Sequence, residues 1–559
     1  MDYNLKIIGG TIIDGSGGEG YRGDVGIKNG SIVALGKAEG SAVRTIDAGG
    51  LAVSPGFVDI HTHYDAQVLW DNVLSISPWH GVTTAVMGNC GFGVAPMHPS
   101  DRQGIMRTLE KVEGMSYEAL EAGLGLDWPF ESYPEYLDTI KSEGMAINLA
   151  SFIGHTPVRL YVMGDDAMER EATAAEINEM AAIVRTGMKA GAVGFSTSMA
   201  ATHNAFDGRP VPSRLASFAE TNALVGAMAS SGRGIMQCTV GKKLFHDELS
   251  DLVQRHRIPV TWTALLSGMS GPGSHRRHLV KTAEQRAEGL DIVPQVACRP
   301  INFDFDFSEP FPFELFPIFK ELMGLDANAK KGAYSDPEFR RNFKTLTAPD
   351  QKNLLANWTR RAVISALPSA PSQNERPLFE VAVERGVDAT DLALDLSIES
   401  NFAARFRFPF INYDQDEVRE LLTDKNTVVA LSDAGAHASQ LCDACYATYF
   451  LGHWCREEGI VPLEEAVNML TQRPAEVMGF HDRGRLAEGL PADIVVFDPA
   501  TIGATGLNRV YDQPAGQDRL VSQAIGIQAV IVNGTLIREN GADVISATDA
   551  MPGRILQGR

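Results

Sequence analysis

From about residue 55 to residue 480 the chain alternates short apolar runs of strand length with longer segments of helical periodicity, and this rhythm restricts the fold more than any other feature. Strand candidates fall at 146–152, 192–196, 234–239, 259–263, 292–296 and 427–431, while 174–190 carries apolar residues at helical spacing over several turns. Repeated strand and helix units favour a parallel sheet over segregated α+β layers, so the expectation is an α/β fold, a (β/α)8 TIM-type barrel. Barrels with insertions commonly exceed 400 residues as one unit, so the 559-residue length does not demand several large domains.

The two ends of the chain have a different texture. Residues 1–54 read as short strands broken by glycine turns, with Asp14-Gly15 and Asn29-Gly30 as hairpin signals. The same pattern returns at 484–486, 492–498 and 529–537. Neither end can bury a sheet face alone, so the simplest arrangement is one small β-sandwich built from both ends beside the barrel. The expected domains are therefore 1–54 (first part of the sandwich), 55–480 (barrel) and 481–559 (second part of the sandwich and tail). An insertion at about 300–375 breaks the barrel rhythm with Phe303, Phe305, Phe307, Phe311, Phe313, Phe316 and Phe319 among Asp, Glu and Pro. It reads equally as an active-site cover or as an excursion packed on the barrel wall.

Chemistry is concentrated where strand candidates end. Gly56-Phe57-Val58-Asp59-Ile60 runs into His61-Thr62-His63, and residues i and i+2 of a strand point to the same side, so both imidazoles can share one cation. The run from Val82 ends at Cys90, and the run from Thr427 ends at Asp433. His, Cys and Asp together suit zinc, which takes imidazole, thiolate and carboxylate ligands and lowers the pKa of bound water to about 7. Asp433 is then the candidate to hold or carry the proton.

Composition excludes several other classes. With 49 basic and 70 acidic residues the formal charge is −21, which repels phosphate backbones and anionic headgroups, so neither nucleic acid nor membrane is an expected partner. The first residues lack a basic region followed by a long apolar one, and a cytoplasmic location is the expectation. Six cysteines in so long a chain do not make a disulfide scaffold, and Cys442-Asp443-Ala444-Cys445 is read as core packing.

The stretches 54–65, 81–84, Gly88-Asn89-Cys90-Gly91-Phe92-Gly93, Gly154-His155 to Arg159, 191–197, Ser432-Asp433 and 488–495 together resemble the amidohydrolase superfamily, and within it the N-acyl-D-amino-acid deacylase (D-aminoacylase) family. The resemblance spans nearly the whole chain, and its most specific mark is a cysteine after Gly-Asn. It implies that His61, His63, Cys90 and Asp433 surround a divalent metal, with Asp433 catalytic. It also implies two further histidines on the fifth and sixth barrel strands, where Thr239 and Ala264 stand instead, so a single ion, zinc by this donor set, is expected. Cys238 is either a replacement ligand or a packing residue. The family's arginine just after the late aspartate, which resembles a substrate-carboxylate anchor, has no counterpart in 434–441. Arg159 and Arg299 are candidates for that duty, as guanidinium suits carboxylate, although either could equally make an internal ion pair; His155 and His437 are candidates to contact substrate or to order the aspartate.

The reading is a metal-dependent hydrolase of a non-peptide C–N amide bond in a small-molecule substrate, like the N-acyl-D-amino-acid deacylases, and compatible with a homo-oligomer. The alternatives are action on another carbonyl substrate (cyclic amide, ester or C–C bond) and a catalytically silent binding protein.

Overall fold

The computed structural model describes residues 1–558. Eight parallel strands follow one another around a curved sheet: β1 (Phe57–Asp59), β2 (Val82–Met87), β3 (Asn148–Gly154), β4 (Gly194–Ser198), β5 (Ile235–Thr239), β6 (Val260–Thr263), β7 (Ile292–Val296) and β8 (Val428–Val429). Each pairs with the next in sequence, in parallel. Closure between first and last is made just beyond the ladders, where Thr62 bridges Ala434 and the His63 amide donates to the Ala434 carbonyl at 2.7 Å. Every residue of β2, β3 and β4 is buried, as strands covered on both faces must be. The helix expected at 174–190 is Ala174–Ala190, entered through a Thr173/Glu176 capping box.

The two chain ends meet in a nine-stranded sheet. Ala52–Pro55 lies between Tyr3–Ile12 and Ile494–Phe497, and Ile494–Phe497 continues to Ile527–Val532 and Thr535–Glu539. Inward residues from both ends, including Ile7, Ile12, Val25, Ile27, Ile494, Val496, Ala529 and Ile531, share one buried cluster. The architecture is thus a TIM-type barrel with a β-sandwich built from both ends. After the sandwich the chain returns to the barrel, where the Leu149 amide donates to the Arg554 carbonyl at 2.9 Å and the Leu556 amide to Leu149 at 2.7 Å.

The aromatic segment forms a unit that reaches beyond residue 375. Ile301–Phe305 pairs with Arg405–Ile411, which also pairs with Val363–Ala366. Phe305, Phe307, Phe313, Phe316, Phe319, Tyr334, Phe343, Trp358, Phe406 and Phe408 pack into a core of their own. Most of the phenylalanine run is therefore consumed by that core; Ile301 reaches the barrel's open end, and Phe303 stands edge-on to His437 with centroids 6.3 Å apart. Among the described residues no helix is long and apolar enough to cross a membrane.

Candidate metal centre and substrate cavity

Beyond β1 the chain stays extended, so His61 and His63 leave on one side with ring centroids 5.4 Å apart. Asp433 follows β8, and the rim that carries it is tied to β1: Ser432 Oγ donates to the Asp59 carboxylate, and also to the His61 carbonyl at 3.2 Å. Asp433 Oδ1 consequently stands 3.3 Å from His61 Nε2 and 3.8 Å from His63 Nε2. Cys90 is placed by the turn after β2. Gly88 has φ 80°, and a Cβ there would lie 2.7 Å from the Phe152 carbonyl oxygen, so only glycine fits. The turn is pinned by the Gly88 amide donating to Asp65 Oδ2 at 3.0 Å and the Cys90 amide donating to Gln237 Oε1 at 2.7 Å. Cys90 Sγ then lies 3.4 Å from His61 Nε2. Cys90 and Asp433 both hold left-handed backbone, φ 58° and 46°. Such conformations in non-glycine residues cost about 1–3 kcal/mol each and gather at sites where side-chain placement matters.

The donor atoms of His61, His63 and Cys90 lie within 4.8 Å of one another. Bonds of 2.0–2.3 Å to a tetrahedral cation separate its ligands by roughly 3.3–3.6 Å, so the separations of His61 Nε2 from Cys90 Sγ and from Asp433 Oδ1 fit a divalent ion. The protonation pattern fits as well. Thr261 Oγ1 donates to the Val293 carbonyl at 3.0 Å and therefore accepts from Gln295 Nε2 at 3.2 Å. That orients Gln295 Oε1 to accept from His61 Nδ1 at 2.6 Å, leaving the Nε2 lone pair facing Cys90 and Asp433. Burial lowers the pKa of both imidazoles, well below the usual value for His63, so both are neutral donors. Burial also pushes the Cys90 thiol well up, with Glu113 adding to the effect. A coordinated cation reverses that, because a ligating thiol is deprotonated outright.

These groups form the floor of a cavity of about 370 Å³. Thr239 and Ala264, at the positions where the resemblance implies histidines, line it without offering an imidazole. Cys238 faces the other way, into the main apolar core, as the residue between inward-facing Gln237 and Thr239 on a strand must. The wall is Phe245, Trp262, Leu265, Leu266, Met269, Ile301 and Leu431. His437 and His203 also line the cavity, His203 with Nδ1 2.7 Å from Ser198 Oγ and its pKa lowered by burial to about 4.

Among the described residues that line the cavity, Arg277 supplies the only Lys or Arg side chain. It is held by a hydrogen-bond chain that runs in one direction. Ser250 Oγ donates to the His246 carbonyl and so accepts from Gln285 Nε2 at 2.8 Å. Gln285 Oε1 therefore accepts from His246 Nδ1 at 3.2 Å, His246 Nε2 accepts from His278 Nδ1 at 3.0 Å, and His278 Nε2 accepts from Arg277 Nε at 3.2 Å. The two terminal guanidinium nitrogens have no protein partner among the described residues, leaving them for a ligand.

Three sequence candidates do not reach the cavity. His155 contacts Thr197 Oγ1 and Glu220 Oε1, each at 2.8 Å, and Arg159 pairs with the same Glu220; all three side chains are completely buried. Arg159 also donates to the Arg170 carbonyl at 2.9 Å. Arg299 pairs with Asp443 at 3.1 Å, touches Cys445 Sγ and lies over the Tyr449 ring at 5.0 Å. In place of substrate contacts, His155, Arg159 and Arg299 make internal ion pairs away from the cavity, the second of the two readings for the arginines. Of the four candidate substrate residues only His437 faces the cavity.

Glu113, Gln295 and Arg277 went unseen in the sequence. Gln295 had a signal, since it stands one residue before the end of a strand candidate, on the inward register. Arg277 and Glu113 had none, each being one charge in a polar helical stretch. Glu113 ends the helix Arg102–Glu113, is buried, and puts Oε2 3.6 Å from His63 Nε2.

Residues 44–273 and 356–538 match the family described as the amidohydrolase family. The chain belongs to that family. It is a hydrolase acting on carbon–nitrogen bonds other than peptide bonds. It is 28% identical to the D-aminoacylase of Alcaligenes xylosoxydans xylosoxydans over 559 residues, covering 97% of this chain and 95% of that one. The N-acyl-D-glutamate deacylase of Bordetella bronchiseptica, solved with zinc and a phosphonate mimic of the tetrahedral intermediate, superposes with TM-score 0.67 at 25% identity, over 100% of both chains. A D-aminoacylase structure described as having a binuclear metal centre, with one-metal activation and second-metal attenuation, superposes with TM-score 0.66 at 26% identity, over 99% of this chain and 100% of that one.

Proposed function

We propose that this amidohydrolase is a single-metal deacylase of N-acyl amino acids, with His61, His63, Cys90 and Asp433 holding one divalent ion, zinc by the preference of the donor set. The observation that carries the reading is the convergence of these four groups on the floor of a cavity with an apolar wall and one cation, Arg277, at its exposed edge. When bound, the ion supplies Lewis acidity, polarising a carbonyl oxygen and acidifying water to near neutral pH. Asp433 takes the proton of the attacking water and returns it to the leaving nitrogen; at 29% exposure it is the one member of the set open to the cavity solvent. Gln295 keeps His61 in the tautomer that binds metal. The Trp262, Phe245 and Leu265 wall accepts the acyl chain or the amino-acid side chain and excludes water from the reacting amide. The relatives named D-aminoacylase and N-acyl-D-glutamate deacylase support D-amino acids as the leaving group.

The test is a panel of N-acyl-D-amino acids, N-acyl-L-amino acids and cyclic amides offered to the zinc-loaded protein. Turnover of the D series is expected; turnover of cyclic amides alone transfers the site to ring opening, and turnover of nothing in the panel favours a silent binding protein. Arg277 provides a sharper readout. Charge-assisted hydrogen bonds are worth about 1.5–3 kcal/mol, so Arg277→Met is expected to raise KM roughly 10- to 100-fold for a free-carboxylate substrate. The matching primary amide should be indifferent to the change, and an equal effect on both substrates places the carboxylate elsewhere.

A further inference from the structure

Glu113 is the buried titratable group that the proposed mechanism leaves unused. It comes from outside the barrel strands, at the end of the helix Arg102–Glu113, and its residue exposure is 4%. A buried carboxylate ordinarily accepts hydrogen bonds from backbone amides or a cationic side chain. Among the described residues Glu113 has no side-chain hydrogen bond, and the one basic group within 4 Å of its carboxylate is the His63 imidazole, through Nε2. Their 3.6 Å separation is too long for an N–H···O bond, whose usual range is about 2.7–3.2 Å. It does match the spacing of two ligands on one cation, as do the 3.3 and 3.4 Å separations from His61 Nε2 to Asp433 and to Cys90.

The position is held firmly. The Glu113 carbonyl accepts from the His437 amide, which joins the helix end to the loop after β8 that carries Asp433. Thr239 and Ala264 leave the side of the cavity fed by β5 and β6 without an imidazole, so any further strong donor must come from a loop. Asp433 is 29% exposed, whereas His61, His63 and Cys90 are almost completely covered. A second, more deeply buried carboxylate on the ion leaves the exposed one free to carry a proton.

We infer that Glu113 is a ligand of the divalent cation, completing with His61, His63 and Cys90 a buried donor set in which a helix-end carboxylate stands in for the strand histidines this chain lacks. The inference rests on the metal centre proposed above.

Cobalt(II) is the probe, because its visible bands report coordination number and its charge-transfer band reports the Cys90 thiolate. Wild type, Glu113→Gln and His61→Ala are titrated with Co2+ against a chromogenic chelator. Glu113→Gln is expected to weaken Co2+ binding by more than about tenfold and to shift the visible bands, while the thiolate band persists. Wild-type affinity with an unshifted spectrum in Glu113→Gln, alongside lost binding in His61→Ala, overturns the role of Glu113 and leaves the centre standing. Full affinity in His61→Ala, or no Co2+ binding by wild type, overturns the centre and this inference with it. Should circular dichroism show Glu113→Gln unfolded, Glu113→Asp, which keeps the charge on a shorter arm, must show the weakened affinity and shifted bands, and wild-type values there overturn the assignment.

Discussion

Alanine at His61 or His63 is expected to release the metal and abolish turnover while the barrel stays folded. Each imidazole presents a neutral nitrogen to the same small volume, and neither has a substitute on β5 or β6, where Thr239 and Ala264 stand. Loss of an outer-shell partner alone costs about 10- to 100-fold in metal affinity, so loss of a direct donor should exceed that range. The strand order survives because β1 is held by backbone pairing to β2, and the rim by Thr62 and His63 amide bonds to Val86 and Ala434. Elemental analysis of purified protein should find about one ion per chain in wild type, as one ligand set requires, and far less in either variant. A variant that keeps its ion and its rate sinks the assignment; two tightly held ions in wild type sink the single-metal reading.

Asp433→Asn should lower kcat by at least about a hundredfold with a much smaller change in KM, the pattern of a group whose proton matters only in the transition state. The substitution is well matched to the site. Asp433 sits at φ 46°, a left-handed conformation that asparagine tolerates as well as aspartate does, so the backbone has no reason to move. An amide oxygen keeps weak contact with the cation but cannot take a proton at neutral pH. Retention of nearly full kcat would move the base to another group. His437 is then the next candidate, because it lines the cavity near Asp433, whereas His155 is sealed behind β4 against Thr197 and Glu220.

Where the information was local, the sequence alone was enough. Strand–helix alternation implied a parallel barrel, since each unit's apolar pattern is written in a dozen or so residues. The strand candidates at 146–152 and 192–196 lie within two residues of β3 and β4, with a similar error at each end. His61 and His63 needed only the two-residue period of a strand to be placed on one side, and Cys90 only the glycine turn that ends β2. Pairing of the two chain ends followed from each end's inability to bury its own sheet face.

Tertiary structure decided everything that depends on which distant side chains meet. Arg159, Arg299 and His155 have the chemistry of substrate contacts, and no local pattern records that Glu220 and Asp443 are their partners. Arg277 faces the cavity because a one-way chain through His278, His246 and Gln285, contributed by two helices outside the sheet, holds it there. Glu113 meets His63 across a gap of 50 positions, and in the linear chain it is one acidic residue among 70. Periodicity tells which way a side chain leaves its own element; what it finds on arrival is set by barrel closure and by the packing of loops over the rim.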